Sequence, residues 1–332
     1  MNILIKKSLK ILHKIYDKTL NRGKSAYLRV TDVVYQTEET SRLISEMIYS
    51  RKPFMIARYG STELMAIQNC ISVNNGAQIW KYISGKVSPW WWEALTFRQM
   101  EQWSGFFPSN EYTIQKFTDL MLKDSKELDL LAEWKNVLPT LNGIIPDNCK
   151  VSHLSHVEPF FAVHPWTKAL EGKKVLVVHP FNELIESQYH MNRNKLFKNQ
   201  EMLPMFELKT IKAIQSLGGE TNGFKDWFEA LDWMKSKISN IDYDICLLGC
   251  GAYGFPLAAH CKRMGKQAIH LGGSLQLLWG ILGNRWENPY YGVKEWGINE
   301  RQYSNLINEN WVRPGQKDRP KNANQVEGAC YW

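Results

Sequence analysis

Residues 244–254 read "DICLLGCGAYG", an apolar run that ends in a glycine-rich turn. Gly249, Gly251 and Gly254 have the spacing G-x-G-x-x-G, which in α/β proteins joins a buried strand to a helix and lets the backbone approach a phosphate group. The helix that follows presents the positive end of its dipole at the same point. This stretch predicts an α/β fold with a phosphate-bearing ligand at the turn.

Further apolar runs extend this pattern along the chain. Because strands with unbroken apolar runs are buried on both faces, we expect a Rossmann-like fold, a mostly parallel sheet with helices on both sides. Residues from about 70 to 135 show mostly helical patterns. The predicted strands are residues 53–60, 149–154, 173–180, 243–249 and 267–273, and the predicted helices lie near residues 38–50, 184–200, 225–239 and 253–264.

The composition of the chain is that of a globular protein. Of 332 residues, 44% are hydrophobic and 22% are charged, which argues against global disorder. The six cysteines include no Cys-x-x-Cys pair, so we expect reduced, mostly buried thiols in a cytoplasmic protein. No apolar run of about 18 residues occurs, so no transmembrane span is predicted.

The basic charge of the chain is concentrated near its start. Residues 1–24 contain seven basic side chains and one acid, Asp17, in a chain with a formal net charge of +8. At about 100° per residue, the leucines and isoleucines fall on one half of a helix and the lysines on the other. Such a helix suits an anionic membrane surface, and packing of its apolar face on its own domain or on a partner chain is the alternative. A nucleic-acid partner is not expected, because nucleic-acid binders spread basic charge over a folded face.

We therefore expect a basic amphipathic helix over residues 1–24 and a single α/β domain over residues 25–332. The segment from about 283 to 332 is rich in Asn, Gly and Pro and shows little periodicity. Its many Tyr and Trp residues are unusual for a solvated tail, so we predict long ordered loops there.

A second motif lies at residues 55–67, "MIARYGSTELMAI". A predicted strand delivers Arg58, the chain turns at Gly60, and Ser61 is expected to cap a helix that begins at Thr62. The planar guanidinium of Arg58 suits a phosphate or a carboxylate. Glu63, in the first turn, is a candidate base or metal ligand, or an acid favoured by the helix dipole.

The glycine turn lacks the second half of a dinucleotide-binding site. Such a site requires an acidic residue at the end of the next strand, about 20 residues further on. Here that strand ends in His270, Leu271, Gly272 and Gly273. A Rossmann-type oxidoreductase or methyltransferase, and a non-catalytic nucleotide-sugar-binding protein, stay as alternatives to a site that holds a diphosphate.

The two motifs together resemble a known family. "ARYGSTEL", at residues 57–64, resembles the Arg-Phe-Gly-Asp-x-Glu motif of the GT-D class of bacterial glycosyltransferases. Residues 247–273, "LLGCGAYGFPLAAHCKRMGKQAIHLGG", are similar to the late segment of that class, where a strand, a glycine-rich loop, a helix and a short strand follow in this order. The likeness covers these motifs and the β/α order across roughly residues 50–285.

This resemblance implies a GT-D type fold and a hexosyltransferase-type enzyme. Such an enzyme moves a sugar from a nucleotide-diphosphate sugar, commonly linked to UDP, to a glycan or glycolipid acceptor. The acceptor would be a lipid-linked or growing bacterial surface polysaccharide, such as O-antigen or capsule. The implied location is cytoplasmic and peripheral, at the inner face of the cell membrane, where residues 1–22 would contact anionic lipid.

The resemblance also implies that the acidic pair of the motif is associated with a divalent cation, Mn²⁺ or Mg²⁺, or with the donor diphosphate. Arg58 and Glu63 match the motif, but Ser61 occupies the position of its Asp. One carboxylate and one hydroxyl make a poor site for these cations, so Glu63 would need the donor diphosphate and further residues to complete it.

Polar residues at the ends of predicted strands complete the set of candidates. For the base we predict Glu63 or Glu158, with His156 as a substitute. His153, beside them, is a further polar residue at a strand end. The candidates for donor binding are Arg58, Tyr59, Gly60, Ser61, His179, Asn182, Gly249, Gly251, Ala252, Tyr253, Gly254, Gly272 and Gly273. The candidates for stacking on acceptor or donor sugars are Trp279, Trp286, Tyr290, Tyr291 and Trp296, and Arg285 and Lys294 would add positive charge if the tail folds over the donor.

Overall fold

The computed structural model describes residues 2–20, 27–136, 138–320, 323 and 329–332. In this part of the chain, seven strands form one sheet in the order β3-β2-β1-β7-β6-β4-β5, and all neighbours are parallel. This confirms the predicted α/β fold with a parallel sheet. The strands are β1 (Phe54–Ala57), β2 (Leu130–Glu133), β3 (Lys150–His153), β4 (Lys174–His179), β5 (Glu207–Lys212), β6 (Ile245–Leu248) and β7 (Gln267–His270).

Helices surround this sheet and connect its strands. The longest 3₁₀-helix spans Gly272–Trp279 and follows β7 directly. The α-helices are α1 (Ile3–Leu20), α2 (Thr37–Tyr49), α3 (Ser61–Asn75), α4 (Ile79–Ile83), α5 (Ala94–Gln102), α6 (Glu111–Asp124), α7 (Leu138–Leu141), α8 (Leu154–Val157), α9 (Asn182–Asn192), α10 (Trp227–Ser239), α11 (Gly254–Arg263), α12 (Asn284–Glu287) and α13 (Val293–Trp296).

The sheet is buried on both faces, as its apolar strands predict. Successive side chains of a strand point to opposite faces, so β1 contributes Phe54 and Ile56 to one core and Met55 and Ala57 to the other. The first core is covered by α2 and α9, and the second by α3, α6, α10 and α11. This two-sided burial fixes the register of the parallel strands.

The chain leaves the neighbouring strands β4 and β6 in opposite directions along the sheet. β4 continues through α9 to β5 at the edge of the sheet, whereas β6 continues through α11 towards β7 and the centre. α9 and α11 also lie on opposite faces. A crevice therefore opens at the carboxyl ends of β4 and β6, the position at which open α/β sheets bind ligands.

Two strands were not predicted from the sequence. β2 is only four residues long and lies in the region of mostly helical patterns, so that prediction is wrong for residues 130–133. β5 is an edge strand with mostly half-exposed or exposed side chains, and its sequence "ELKTIK" has no apolar run. α9 also ends at Asn192 rather than near residue 200.

The start of α3 differs from the prediction by one residue. The helix begins at Ser61, and Gly60 is the N-cap with an extended backbone (φ −73°, ψ 154°). The predicted capping role of Ser61 is therefore wrong. The carboxylate of Glu63 folds back against Gly60, where a β-carbon would lie 1.8 Å from Glu63 Oε2. Glycine at this position thus leaves room for an acidic side chain over the first turn.

α1 contacts the rest of the protein through one of its faces. Leu9 packs with Tyr82 and Trp91, and the His13 ring stacks on Tyr82 with a centroid distance of 5.2 Å. Lys10 Nζ lies 2.8 Å from a carboxylate oxygen of Glu93. Most of the apolar side chains on α1 face away from this contact and are exposed, namely Ile3, Leu4, Ile5, Ile11, Leu12, Ile15 and Leu20. Residues 21–24 of the predicted helix lie outside the described residues.

The remaining expectations concern the thiols, the tail and membrane spans. All six cysteines are free, and five are buried. Trp286, Trp296 and Trp311 are buried, so this part of the tail packs against the domain, as its aromatic content predicts. Among the described helices, none has both the length and the apolar content needed to cross a bilayer.

Candidate functional site

A cavity of about 460 Å³ lies at the carboxyl edge of the sheet. Its walls come from the segments that follow all seven strands, from Tyr27 and the end of α5, and from the tail beyond residue 284. It therefore occupies the crevice that the topology creates. The predicted site residues that line it are Arg58, Gly60, Ser61, Glu63, Glu158, His179, Gly249, Gly251, Tyr253, Gly273, Arg285, Trp286, Tyr290, Tyr291 and Trp296.

Several predicted site residues lie away from the cavity. Trp279 is fully buried, with its ring at the edges of Tyr189 and Phe206, so it has no surface on which a sugar could stack. The Tyr59 ring packs on Phe255 beneath the strand end. The others that do not line the cavity are His156, Asn182, Ala252, Gly254, Gly272 and Lys294.

Local hydrogen bonds explain two of these displacements. His156 Nδ1 donates to the carbonyl oxygen of Tyr35 at 3.2 Å, which turns the ring towards the segment before α2. Asn182 Nδ2 donates to Thr210 Oγ1 on β5 at 3.4 Å. In the structure neither side chain is placed to act on a ligand in the cavity.

The structure also adds residues that the sequence did not suggest. Trp134 and Lys135 follow β2, and Ile214, Gln215 and Leu217 follow β5. Both strands were missed, so the residues at their carboxyl ends were not considered. If β2 and β5 had been recognised in the sequence, the residues at their carboxyl ends would have been identified as candidates. Further lining residues of this kind are Tyr27, Trp103, Ser104, Ser216, Ser274, Gln276, Tyr331 and Trp332.

Arg58 lies at the floor of the cavity in a position where it could bind an anion. Its guanidinium lies on Gly272, where a β-carbon would come within 2.5 Å of Arg58 Nη2. Arg58 Nη1 donates to the carbonyl oxygen of Tyr59 at 3.4 Å, but Nε is buried without a partner among the described residues. A buried N–H that lacks an acceptor is costly, so an oxygen of a bound anion would satisfy it.

His179 ends β4 as a neutral hydrogen-bond donor. Burial lowers the pKa of its imidazole to about 3. The backbone N–H of Phe181 donates to His179 Nδ1 at 3.0 Å, so the proton of the neutral ring is on Nε2. The ring lies against Gly249, where a β-carbon would be 2.5 Å from His179 Cδ2. His179 therefore adds a donor to the cavity without adding charge.

The three glycines of the turn have different roles. Gly249 and Gly251 border the cavity, and Gly251 has a positive φ of 56°. Gly254 instead permits close packing of α11 on β7, because a β-carbon there would lie 2.1 Å from the His270 ring. The N–H groups of Tyr253 and Gly254 donate to the carbonyls of Cys250 and Gly251. We therefore expect a phosphate to meet the amide of Gly251, which borders the cavity, rather than the whole loop.

Glu158 is a buried acid that changes its protonation state near neutral pH. Burial raises the pKa of its carboxyl to about 7, although hydrogen bonds from Tyr303 and Ser274 and the charge of Arg58 act in the opposite direction. Tyr303 Oη donates to Glu158 Oε2 at 2.5 Å, across 145 residues of sequence. A carboxyl with this pKa is suited to accept a proton at neutral pH.

The cavity has acidic and basic side chains in equal number. The basic ones are Arg58, Arg285 and Lys135, and the acidic ones are Glu63, Glu158 and Glu295. The guanidinium of Arg285 lies 4.8 Å from the ring centre of Tyr331 and 5.8 Å from that of Tyr291, both of which line the cavity. Cation–π contacts of this kind hold the charge beside the aromatic rings.

The residues present do not by themselves fit a resident divalent cation. Mn²⁺ and Mg²⁺ prefer several oxygen ligands, and carboxylates above all. Among the described residues, no group of three His, Cys, Asp or Glu side chains could hold a metal ion. In the sequence, Ser61 rather than a second acidic residue stands two positions before Glu63.

Comparisons with protein-family models, with curated proteins and with solved structures returned no match to this chain. The function of the chain is therefore inferred from the geometry and chemistry of the cavity itself.

Acidification should destabilise the protein through its buried imidazoles. Burial lowers the pKa values of His153, His179 and His270 to about 3, whereas it raises that of Glu158 to about 7. Between pH 4.5 and 6.5, the unfolded chain binds protons on three imidazoles that the native protein keeps neutral, and the native protein binds one on Glu158. Stability should rise with pH in this window, with each imidazole contributing at most about 1.4 kcal/mol per pH unit, at the acidic end of the window, and Glu158 opposing the rise.

Urea unfolding at several pH values would test this expectation. His153→Asn should reduce the slope of stability against pH by the contribution of one imidazole, because it removes one buried titratable ring. The helix start should be kept, since Asn can also accept the hydrogen bond from Ser155 N at the start of α8. His164→Asn, at an exposed position, is the matched control. An unchanged slope in His153→Asn would contradict the assignment.

Proposed function

We propose that the protein is a glycosyltransferase of GT-D type that transfers a sugar from a nucleotide-diphosphate sugar to a glycan or glycolipid acceptor. The observation that supports this proposal is a cavity that combines a glycine turn with Arg58, Glu63 and Glu158. The buried Nε of Arg58 has no acceptor among the described residues. The cavity lies where the topology of an open parallel sheet favours ligand binding. A UDP-linked donor is the form we expect.

The donor diphosphate would lie between Arg58, His179 and the glycine turn. Arg58 offers a fixed positive charge and a buried N–H without an acceptor. His179 and the amide of Gly251 offer neutral donors at the ends of β4 and β6. Charge builds up on the leaving diphosphate during transfer, and donors fixed in advance stabilise it without reorganisation.

Transfer requires a group that receives the proton of the acceptor. The acceptor hydroxyl oxygen forms a bond to the anomeric carbon, and the bond between that carbon and the diphosphate oxygen breaks. The hydroxyl proton passes to a carboxylate. Glu158, with a pKa near 7, and Glu63, beside Gly60, both line the cavity and are the candidates for this role.

Aromatic side chains of the tail would hold the sugar rings. Trp286, Tyr290, Tyr291 and Trp296 line the side of the cavity that the tail provides. Flat apolar faces of this kind pack against the C–H faces of sugars, while the polar edges of Tyr and Trp reach hydroxyl groups. Tyr290 is 63% exposed and therefore lies at the mouth.

The membrane contact of α1 is a second part of the proposal. Leu4, Ile11 and Ile15 are 71%, 59% and 53% exposed, while Leu9 and His13 face the domain. The lysines of α1 flank this apolar stripe, which suits an anionic bilayer at the inner face of the cell membrane. A lipid-linked acceptor would then be presented to a peripheral enzyme.

Nucleoside diphosphates should stabilise the protein. Thermal unfolding would be compared with UDP, GDP, CDP, NAD⁺ and S-adenosylmethionine, each with Mn²⁺ and with EDTA. A ligand at 100 times its Kd adds about 2.7 kcal/mol of stability, so we expect a rise in Tm with one nucleoside diphosphate. A response to NAD⁺ or S-adenosylmethionine alone would instead support the oxidoreductase or methyltransferase alternative.

Gly272→Ala should weaken binding of the diphosphate, because the new β-carbon would displace the Arg58 guanidinium. We expect roughly a tenfold loss of affinity or more for UDP, as for a hydrogen bond to a charged group. Gly265→Ala is the matched control, since Gly265 also has a positive φ (78°) but meets no atom within 4 Å. Equal UDP affinity in the two variants, measured by calorimetry, would argue against a contact between Arg58 and the diphosphate.

Replacement of Leu4, Ile11 and Ile15 by Ser should release the protein from vesicles that contain phosphatidylglycerol. Each side chain loses its share of apolar burial in the interface, and we expect at least about a tenfold drop in the bound fraction at limiting lipid. Val34, Val163 and Met205, exposed on other parts of the chain, provide a matched triple Ser control. Unchanged cosedimentation of the α1 variant would exclude this stripe as the anchor.

A further inference from the structure

The cavity extends beyond the glycine turn to the end of β5. There it is lined by five side chains that we call the β5 wall: Trp103 and Ser104, which follow α5, and Ile214, Gln215 and Leu217, which follow β5. None of these residues belongs to the two sequence motifs, and none has a part in the proposed transfer. The β5 wall therefore lies where it could contact a portion of the donor that the motifs do not reach.

Hydrogen bonds join the β5 wall to the glycine turn. Ser216 Oγ donates to the carbonyl oxygen of Gly105 at 2.6 Å and lies 2.8 Å from Tyr253 Oη. A hydroxyl has one proton and the carbonyl can only accept, so Tyr253 donates to Ser216. The Tyr253 ring in turn stacks on Trp227 at 4.8 Å. The wall and the turn thus form one connected structure.

The two segments of the β5 wall are also packed closely against each other. Gly105 has a positive φ of 65°, and a β-carbon there would lie 2.8 Å from the carbonyl carbon of Ser216. This contact fixes the position of the residues after α5 relative to those after β5. The close contact between the Gly105 and Ser216 backbones therefore also fixes the neighbouring residues Trp103 and Gln215 relative to each other.

The chemistry of the β5 wall differs from that of the rest of the cavity. Trp103 offers a flat aromatic face, Ile214 and Leu217 are apolar, and the Gln215 amide can both donate and accept. No side chain of the wall is ionisable, whereas the charged residues of the cavity lie around β1, β2 and β3 and in the tail. This combination suits a flat, neutral heterocycle with a polar edge.

We propose that the β5 wall binds the base of the nucleoside diphosphate, with Trp103 stacked on the ring and Gln215 bound to its polar edge. This inference rests on the proposed function. It gives the donor one direction in the cavity: the base at β5, the diphosphate at the glycine turn and Arg58, and the sugar towards Glu63 and Glu158. The opposite end, with Tyr27, Trp134 and Lys135, is then left for the acceptor.

Calorimetric titration with UDP, GDP, CDP and inorganic pyrophosphate tests the inference. Trp103→Ala and Gln215→Ala should weaken binding of the preferred nucleoside diphosphate, the first by roughly 5- to 150-fold as for the loss of a stacked base. Neither should change the affinity for pyrophosphate, which has no base. Trp103→Phe, which keeps an aromatic face, should restore most of the lost affinity.

Trp80→Ala, at an 81% exposed position outside the cavity, is the matched control and should bind both probes like the unchanged protein. The inference is overturned if the preferred nucleoside diphosphate binds no tighter than pyrophosphate, or if Trp103→Ala retains full affinity for it. In both cases the diphosphate site and the proposed function stand. If the unchanged protein binds neither kind of probe, the proposed function itself fails, and the inference with it.

Discussion

Three polar side chains at the carboxyl edge of the sheet lie so close to glycine α-carbons that no β-carbon would fit between them. Arg58 lies on Gly272, His179 on Gly249, and His270 on Gly254. These contacts set how near the segments after β1, β4, β6 and β7 can come to one another. The cavity, its floor of donors and the start of α11 all depend on this close approach.

The same contacts explain why a dinucleotide-type fingerprint occurs without its acidic partner. In such a fingerprint the last glycine serves the packing of helix on strand, and here Gly254 does so by accommodating the His270 ring. His270 is neutral because burial, with the charge of Arg58, lowers its pKa to about 3. An acid at the end of β7 would instead have placed a negative charge beside the groups expected to hold phosphate.

The sequence was sufficient for the parts of the fold that apolar burial alone determines. β4, with the run "KVLVVH", is buried on both faces and is evident from composition. β5, its neighbour at the edge of the sheet, is half exposed and has the sequence of an irregular polar segment. Since ligand-binding residues follow strand ends, the missed strands also concealed Trp134 and Gln215.

Side-chain direction was the other element that the sequence could not supply. Tyr59 and Arg58 are neighbours, yet one ring is buried in the core and one guanidinium lines the cavity. Trp279 and Trp286, seven positions apart, are both buried, but only Trp286 lines the cavity. A local motif identifies which backbone segment reaches the crevice, but packing with distant helices decides which side chains face it.

The hydrogen bond between Tyr303 and Glu158 affects when the site can form during synthesis of the chain. The two residues are 145 positions apart, so at ordinary rates of synthesis Glu158 leaves the ribosome roughly 7–30 s before its partner. The strands that carry Arg58 and the glycine turn are also complete before the tail is made. A nascent chain would therefore acquire its anion-binding floor first, and its buried carboxyl only when the tail packs over it.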